Sequence, residues 1–223
     1  MPAKTKDAPN KSRAHTIYKL EDGTRIPGVT TVLGILDKPA LVRWANNLGL
    51  QGIDSNKYRD EMGDIGTLAH KMILNYFNKV ETDTGDYSKN QVELAENCLL
   101  SFWEWENGHE IEVIMAEKQL VSSEYGYGGT IDCFCKLDGQ PTLLDFKTGK
   151  AIYPEMFYQL AAYEQLLIET GERMFNTKIL RIGRDADEGF EERVVVNTFN
   201  HFEIFKSCLA IYNLQKEIRR EAE

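Results

Sequence analysis

Charged side chains interrupt two apolar segments in the second half of the chain, residues 129–137 and 142–147. Asp132 lies in the first segment, and Asp145 and Lys147 lie in the second. Alternating apolar positions predict a β-strand for each segment, and the Asp-Gly dipeptide between them is typical of a tight hairpin turn. In a strand, Asp145 and Lys147 point to the same face, about 6 to 7 Å apart. Charges are seldom buried unless they are paired or bind a metal, so the pattern indicates chemistry more than packing.

The remaining periodicity places a sheet after a series of helices. Helices are predicted over residues 63–79, from Ser88 (where Gln91 completes a capping box), from Pro154 and over residues 200–220. An earlier helix starts near Pro39 and is expected to have an apolar face formed by Leu41, Val42, Ala45 and Leu48. Further strands are predicted over residues 111–121, 177–183 and 192–198. This order predicts an α/β or α+β domain with its sheet in the second half.

Composition sets the class of protein. With 223 residues, 42% of them hydrophobic, the chain can bury the core of one domain. No apolar run approaches the roughly 18 residues of a membrane span, and no signal-peptide apolar region is present, so we expect a cytoplasmic protein with no membrane partner. The four cysteines form no Cys-x-x-Cys pair, and Cys133 and Cys135, which alternate with Asp132, are expected to be buried, reduced thiols.

Charge is distributed unevenly along the chain. The net charge of −9 by itself argues against a nucleic-acid partner, but residues 1–60 carry ten Lys and Arg against six Asp and Glu. These residues are therefore the better candidates for phosphate contacts. Residues 1–14, polar and rich in lysine, are predicted to form a disordered arm.

Four motifs, in order, resemble those of the RecB-type branch of the PD-(D/E)xK nuclease superfamily, to which phage exonucleases and the mitochondrial genome maintenance exonuclease are related. They are Gly66-Thr67-Leu68-Ala69-His70, Gly129-Thr130-Ile131-Asp132, Leu144-Asp145-Phe146-Lys147-Thr148-Gly149 and Tyr158-Gln159-Leu160-Ala161-Ala162-Tyr163. The resemblance covers about residues 63–165. It implies a restriction-endonuclease-like core with a mixed central sheet flanked by helices. On this basis residues 15–223 form one nuclease domain, with a helical part at 15–110 and a sheet-containing core at 111–223.

The resemblance also implies a site for one or two Mg²⁺ or Mn²⁺ ions. Asp132 and Asp145 would be the carboxylate ligands, His70 a nitrogen ligand, and Phe146 would contribute its backbone carbonyl. Lys147 would orient or deprotonate the attacking water, or stabilise the charge that builds on phosphorus. The alternative interpretation of Asp145 and Lys147 is an ion pair on the surface of a strand, without a metal site.

Three further residues have two interpretations each. Glu117 matches a glutamate near the metals, or it is an exposed strand residue beside Lys118. Gln159 and Tyr163 lie one helical turn apart and would face the cleft, where Gln159 supports Lys147 or a water and Tyr163 contacts substrate. In the alternative, Tyr163 is a partly buried core residue.

The resemblance implies a metal-dependent DNA exonuclease, acting on single- or double-stranded DNA ends in recombination, repair or degradation, in a bacterial or phage-infected cytoplasm. A recombination or single-strand-annealing protein is a candidate partner. The alternatives are an endonuclease on the same core and a catalytically silent DNA-end-binding module. The iron–sulfur cluster of some family members is not expected, because the chain has a single late cysteine, Cys208, and no helicase P-loop motif is present.

Overall fold

A computed structural model describes residues 16–222 and contains six helices and seven strands within that range. The strands are β1 (Tyr18–Lys19), β2 (Arg25–Ile26), β3 (Ile111–Ser122), β4 (Tyr127–Leu137), β5 (Gln140–Lys147), β6 (Asn176–Ile182) and β7 (Phe190–Val194). The helices are α1 (Val29–Leu33), α2 (Pro39–Leu50), α3 (Ser55–Asn78), α4 (Lys89–Glu106), α5 (Pro154–Glu169) and α6 (Phe199–Glu221). The predicted arm at residues 1–14 lies outside the described residues.

The central sheet has the order β3-β4-β5-β6-β7 and is mixed. Strands β3, β4 and β5 form antiparallel neighbours, β5 and β6 are parallel, and β6 and β7 are antiparallel. The parallel pair needs a crossover, which α5 provides. Asp138 and Gly139 join β4 to β5 with φ angles of 51° and 78°, the left-handed pair that suits a two-residue hairpin turn. The predicted α/β class, with a mixed sheet flanked by helices and helices at the N-terminal side, is confirmed.

Adjacent residues of the sheet point into two different cores. Leu143 packs with α1, α5 and α6 in one core, whose members include Val32, Leu160, Leu166 and Phe205. Leu144 packs with α3 and α4 in the other, whose members include Ile65, Leu68, Ile73 and Phe102. Apolar residues cover both faces of β5, as expected of a strand between two helical layers. The sheet therefore fixes α3 on one side and α5 on the other.

Capping explains where the two helices of the second core begin. The Asp54 carboxylate accepts the N–H groups of Asn56 and Lys57, at 2.9 and 3.2 Å, and starts α3 eight residues before the predicted start. Ser88 and Gln91 form the predicted capping box at the start of α4. Cys133 and Cys135 are buried and free, as predicted, and so are Cys98 and Cys208.

Two predicted details are wrong. In α2 no residue is buried, and Leu41 and Val42 are 52% and 69% exposed, so the expected apolar face is turned largely to solvent. The last strand ends at Val194 and not at residue 198, because the chain turns away there towards α6. Within residues 16–222, none of the helices is both long and apolar enough to cross a membrane.

Candidate metal centre

Three elements bring a histidine and two carboxylates together. His70 is on α3, Glu117 on β3 and Asp132 on β4, and one ligand atom from each lies within 4.8 Å of the others. His70 Nδ1 is 3.5 Å from Asp132 Oδ1 and 3.9 Å from Glu117 Oε1. All three side chains are partly accessible, with 25%, 36% and 13% of their surface exposed for His70, Glu117 and Asp132. A small ion could therefore reach them from solvent.

Strand register accounts for the approach of Glu117 to Asp132. The pairs Ala116–Cys133 and Lys118–Ile131 flank them, so the two acids lie across from each other on β3 and β4. Side chains directly opposite in an antiparallel pair have Cβ atoms about 5 Å apart, and like charges there are destabilising. Glu117 also has φ 48°, in the left-handed region that favours glycine. A glutamate is thus held in an unfavourable backbone conformation next to another acid.

Asp145 and Lys147 form a second group beside this cluster. Asp145 is only 1% exposed, and Lys147 Nζ lies 2.5 Å from its Oδ2. Lys147 is thus the ion-pair partner of Oδ2, whereas Asp145 Oδ1 has no hydrogen-bond partner within residues 16–222. The cluster of three ligand residues does not include Asp145. A buried carboxylate oxygen without a partner is costly, so Asp145 Oδ1 is suited to bind a cation.

Phe146 links the two groups through its backbone and its ring. Its N–H donates to Asp132 Oδ2 at 2.7 Å, which fixes that carboxylate against β5. Its ring lies in the core of α3 and α4, where it meets the His70 ring edge-on at 6.1 Å and the Phe102 ring at 5.8 Å. One residue thus positions both Asp132 and His70. The role expected for the Phe146 carbonyl stays a prediction.

Gln159 and Tyr163 lie on the opposite helix, α5, and contact each other. Gln159 Nε2 donates to Tyr163 Oη at 2.8 Å. The Tyr163 ring is 5% exposed and belongs to the core, as the alternative interpretation held. Burial raises the pKa of Tyr163 well above its usual value, and the negative charges of Asp145 and Asp132 raise it further. The Tyr163 hydroxyl therefore lies within the electrostatic field of Asp145 and Asp132, and its ring packs in the core.

Burial and mutual charge shift the pKa values of the ionisable groups. Burial raises the pKa of Glu117 to about 7, with Asp132 adding to the effect, and raises the pKa of Asp145 to about 6 against the opposing charge of Lys147. Burial lowers the pKa of His70, but the charge of Asp132, a hydrogen bond to Asp132 and the charge of Glu117 together outweigh burial, so the net shift of the His70 pKa is upward. Burial likewise raises the pKa of Asp132, but His70 and Lys147 outweigh it, so the net shift is downward. A proton and a cation would therefore compete for Glu117 and Asp145.

A cavity of about 450 Å³ opens onto the cluster and contains residues that the sequence did not single out as site residues. Lys71 and Thr130 line it together with Gly66, Thr67, His70, Leu74, Glu117 and Asp132. The Tyr18 hydroxyl, from β1, forms a hydrogen bond of 2.9 Å with the hydroxyl of the lining residue Thr130. Thr67 and Thr130 belong to the motifs at residues 66–70 and 129–132, whereas no local sequence pattern marks Tyr18 or Lys71.

These residues fit a divalent metal ion. A histidine nitrogen with carboxylate oxygens is the donor set of Mn²⁺ and related ions, and carboxylates also suit Mg²⁺. His70, Glu117 and Asp132 would be the first ligands, and the buried oxygens of Asp145 offer a further one. The donor chemistry and the Asp145 oxygens both favour such an ion.

Comparisons with known proteins give a distant structural likeness. No family model matches the chain, and no curated protein matches it significantly. The structure of LHK-Exo in complex with dAMP matches at a TM-score of 0.43 and 11% identity, over 73% of this chain and 88% of that one. An alkaline exonuclease structure, LHK-Exo from Laribacter hongkongensis, matches at 0.41 and 11%, over 72% and 90%. With TM-scores below 0.5, the likeness fixes neither the family nor the activity of this chain.

Proposed function

We propose that the chain is a Mg²⁺- or Mn²⁺-dependent deoxyribonuclease that hydrolyses phosphodiester bonds at DNA ends. One observation carries the proposal: His70, Glu117 and Asp132 offer three ligand atoms within 4.8 Å of one another, next to the buried Asp145–Lys147 ion pair. Phosphodiester hydrolysis needs positive charge near the phosphate and a group that handles the proton of the attacking water. Both would be present within this one site.

His70, Glu117, Asp132 and Asp145 are proposed to hold one or two ions. A divalent ion held by them would supply Lewis-acid stabilisation of the phosphate and lower the pKa of a nearby water. The protein fixes these side chains in advance. The Phe146 N–H holds Asp132, the Phe146 ring contacts His70, and the strand register sets Glu117 opposite Asp132. Little reorganisation is then needed when substrate binds.

Lys147 is proposed to act at the phosphate or at the attacking water. Its side chain is 16% exposed, so part of it reaches the edge of the site while its ammonium neutralises Asp145. From there it would orient or deprotonate the water, or stabilise the charge that develops on the phosphoryl oxygens. Gln159 and Tyr163 are proposed to support this group from α5, because their hydrogen-bonded pair lies in the field of Asp145. With its ring buried, Tyr163 is better suited to orient neighbouring groups than to grip substrate.

The proposed biological setting is recombination, repair or degradation of phage or host DNA in the cytoplasm. A recombination or single-strand-annealing protein is the proposed partner. The absence of an iron–sulfur cluster also remains part of the proposal. Cys98, Cys133 and Cys135 are buried in one core, and the single late cysteine, Cys208, is buried in the other.

Digestion of linear DNA labelled at one end, beside a covalently closed circle of the same sequence, tests this function. We expect loss of the linear DNA with Mg²⁺ or Mn²⁺, retention of the circle, and no reaction in EDTA. Rapid loss of the circle would identify an endonuclease instead. A wild-type protein that binds DNA ends but is inert with both metals would identify a binding module.

A further inference from the structure

We infer that Arg184 is a positioning residue for the candidate metal centre: it clamps α3 to the end of β5, so that His70 faces Asp132. The inference deepens the proposed function and rests on it for the identity of the site. Arg184 follows β6 and touches none of the ligand residues in the contacts described above. No local sequence pattern marks it, because a single arginine after an apolar strand is commonly a surface residue.

Arg184 makes three side-chain contacts with two other elements. Its Nη2 donates to the Met62 carbonyl at 3.1 Å and to the Thr148 hydroxyl at 3.0 Å, and its Nη1 contacts the Met62 sulfur at 2.9 Å. Met62 lies on α3, and Thr148 directly follows Lys147 at the end of β5. A planar guanidinium presents several donors in a fixed fork, so it can tie two chains at a set separation.

The clamp lies on the same face of α3 as the histidine. Met62, Gly66 and His70 are spaced by four residues and so share one helical face. At Gly66 the helix comes so close to β5 that an added Cβ would lie 3.0 Å from Thr148 Oγ1. The Thr148 hydroxyl thus meets α3 on one side and Arg184 on the other. One turn further along α3, His70 reaches Asp132.

The segment after β6 holds Arg184 in place before any ligand binds. The Arg184 N–H donates to the Glu188 carboxylate at 3.0 Å, and the Gly183 N–H donates to the Gly189 carbonyl at 2.8 Å. Gly183 is required for this tight turn, because a Cβ there would lie 2.4 Å from the Glu188 Cβ. Ser101 of α4 also donates to the Gly183 carbonyl, at 3.4 Å. The guanidinium is therefore presented to α3 by a turn anchored on both sides.

The surroundings of Arg184 Nε favour a positioning role for this arginine over a role in filling the core. It is buried and takes no hydrogen-bond acceptor within residues 16–222. Burying an arginine with an unsatisfied donor is unfavourable, so an apolar residue would pack here at lower cost. What an apolar side chain could not do is hold Met62 and Thr148 together. Arg184 provides this link through its hydrogen bonds to the Met62 carbonyl and the Thr148 hydroxyl.

The experiment measures Mn²⁺ affinity of the full chain by calorimetry, without DNA, for the wild type and Arg184→Gln. The matched control is Trp105→Phe, which removes the 3.0 Å hydrogen bond from Trp105 Nε1 to Glu192 of β7 but keeps an aromatic ring beside Phe102 in the core. Thermal midpoints are measured in EDTA for each. We expect Arg184→Gln to weaken Mn²⁺ binding on the order of 10-fold, by analogy with losses of groups that orient metal ligands. Trp105→Phe should bind Mn²⁺ with the affinity of the wild type, even if its thermal midpoint falls by as much as that of Arg184→Gln.

Two further variants separate positioning from stability. Arg184→Lys keeps the charge but lacks the fork, so it should restore Mn²⁺ affinity only in part. Thr148→Val keeps the shape of the side chain and removes the oxygen that accepts from Arg184, so it should weaken Mn²⁺ binding by a smaller factor than Arg184→Gln does. If Arg184→Gln does not fold, the Mn²⁺ affinity of Thr148→Val tests the inference. Wild-type Mn²⁺ affinity in Arg184→Gln, or in Thr148→Val where the former is unfolded, would overturn the inference.

The same measurements keep this inference apart from the proposed nuclease. A wild type that binds Mn²⁺ but hydrolyses no DNA would refute the nuclease and leave Arg184 to be judged on affinity alone. A wild type that cuts DNA, with an Arg184→Gln variant of unchanged Mn²⁺ affinity and kcat, would refute only the role of Arg184. A wild type that binds no Mn²⁺ would refute both.

Discussion

At the scale of single residues, groups in the candidate metal centre are held in states that are unfavourable without a ligand. Glu117 has φ 48° and lies opposite Asp132. Asp145 is buried, and its Oδ1 has no hydrogen-bond partner among the described residues. Strained backbones and unsatisfied buried groups persist where the surroundings fix them, and they cluster at functional sites. A cation between these carboxylates would relieve the electrostatic part of the cost.

Replacement of Glu117 by glycine, with Glu117→Gln as the matched control, tests that account of its backbone. Glycine adopts φ 48° freely, whereas glutamine keeps the strain of about 1 kcal/mol. In an ordinary strand, glycine would cost roughly 0.5–1 kcal/mol. We therefore expect Glu117→Gly to be at least as stable as Glu117→Gln in chemical denaturation, while both bind Mn²⁺ more weakly than the wild type. A glycine variant less stable than the glutamine variant by about 1 kcal/mol would contradict the account.

At the scale of elements, the site depends on close approach of α3 and α5 to the sheet. On the α5 side, Gly129 of β4 lies under the Tyr163 ring. A Cβ at residue 129 would lie 2.6 Å from Tyr163 Cε1 and 3.0 Å from Leu166 Cδ1. Both atoms belong to buried side chains, so neither can move away without disturbing the core. Gly129 thus sets how closely α5, with Gln159 and Tyr163, approaches β4.

Two glycine-to-alanine changes should have opposite effects on stability. Gly129→Ala should lower the free energy of unfolding by about 1–3 kcal/mol, as overpacking of a core does. Gly49→Ala, in α2, meets nothing within 4 Å and should raise it by up to about 1 kcal/mol through helix propensity. Urea denaturation of both variants checks this. Equal effects of the same sign would show that the β4–α5 contact is looser than described.

The elements show what the sequence could and could not predict. Strands β3 to β5 and helix α5 follow local alternation and turn chemistry, and they agree with prediction to within a few residues. The first two turns of α3 were missed because residues 55–62 carry a polar pattern and depend on the Asp54 cap. Leu41 and Val42 were expected on one apolar face, but α2 lies at the margin and leaves them exposed. Periodicity predicts that a helix has an apolar face, not that a partner covers it.

The sequence predicted the site mainly through its motifs. Asp145 and Lys147 are paired by strand alternation, and their ion pair follows from it. The approach of His70 to Asp132 depends on how α3 packs, and the roles of Tyr18, Lys71 and Arg184 depend on contacts between residues more than 30 positions apart or on the shape of the cavity. Such contacts have no local signal in one sequence.

At the scale of the whole molecule, the candidate centre joins both cores of the sheet. His70 comes from the α3–α4 side, and Tyr163 comes from the α1–α5–α6 side. A ligand that binds only the folded chain stabilises the whole fold by mass action, by about 2.7 kcal/mol at 100 times its dissociation constant. Metal binding should therefore be visible in global unfolding and not only in activity.

Thermal unfolding with and without Mn²⁺ should depend on pH in a defined direction. The folded-state pKa values of Glu117, about 7, and Asp145, about 6, lie above those of the unfolded chain. Their protonation therefore favours the metal-free fold at low pH, and this contribution is lost as pH rises through 6 to 7. Mn²⁺ must displace these protons, so it should raise the midpoint more at pH 8 than at pH 5.5. An equal rise at both pH values, or a rise that persists in Asp132→Asn, would place the ion elsewhere.

The most direct test of the central claim is the initial rate of hydrolysis of end-labelled linear DNA across a Mn²⁺ titration, for the wild type and Asp145→Asn. Asparagine keeps the shape of the buried side chain and removes the charge that Lys147 and a metal would share. We expect metal-dependent hydrolysis by the wild type that EDTA abolishes. At saturating metal, we expect Asp145→Asn to hydrolyse DNA more slowly by on the order of 10²-fold or more. Undiminished hydrolysis by Asp145→Asn, or a wild type that is inert across the titration, would contradict the assignment of this site as a metal-dependent nuclease centre.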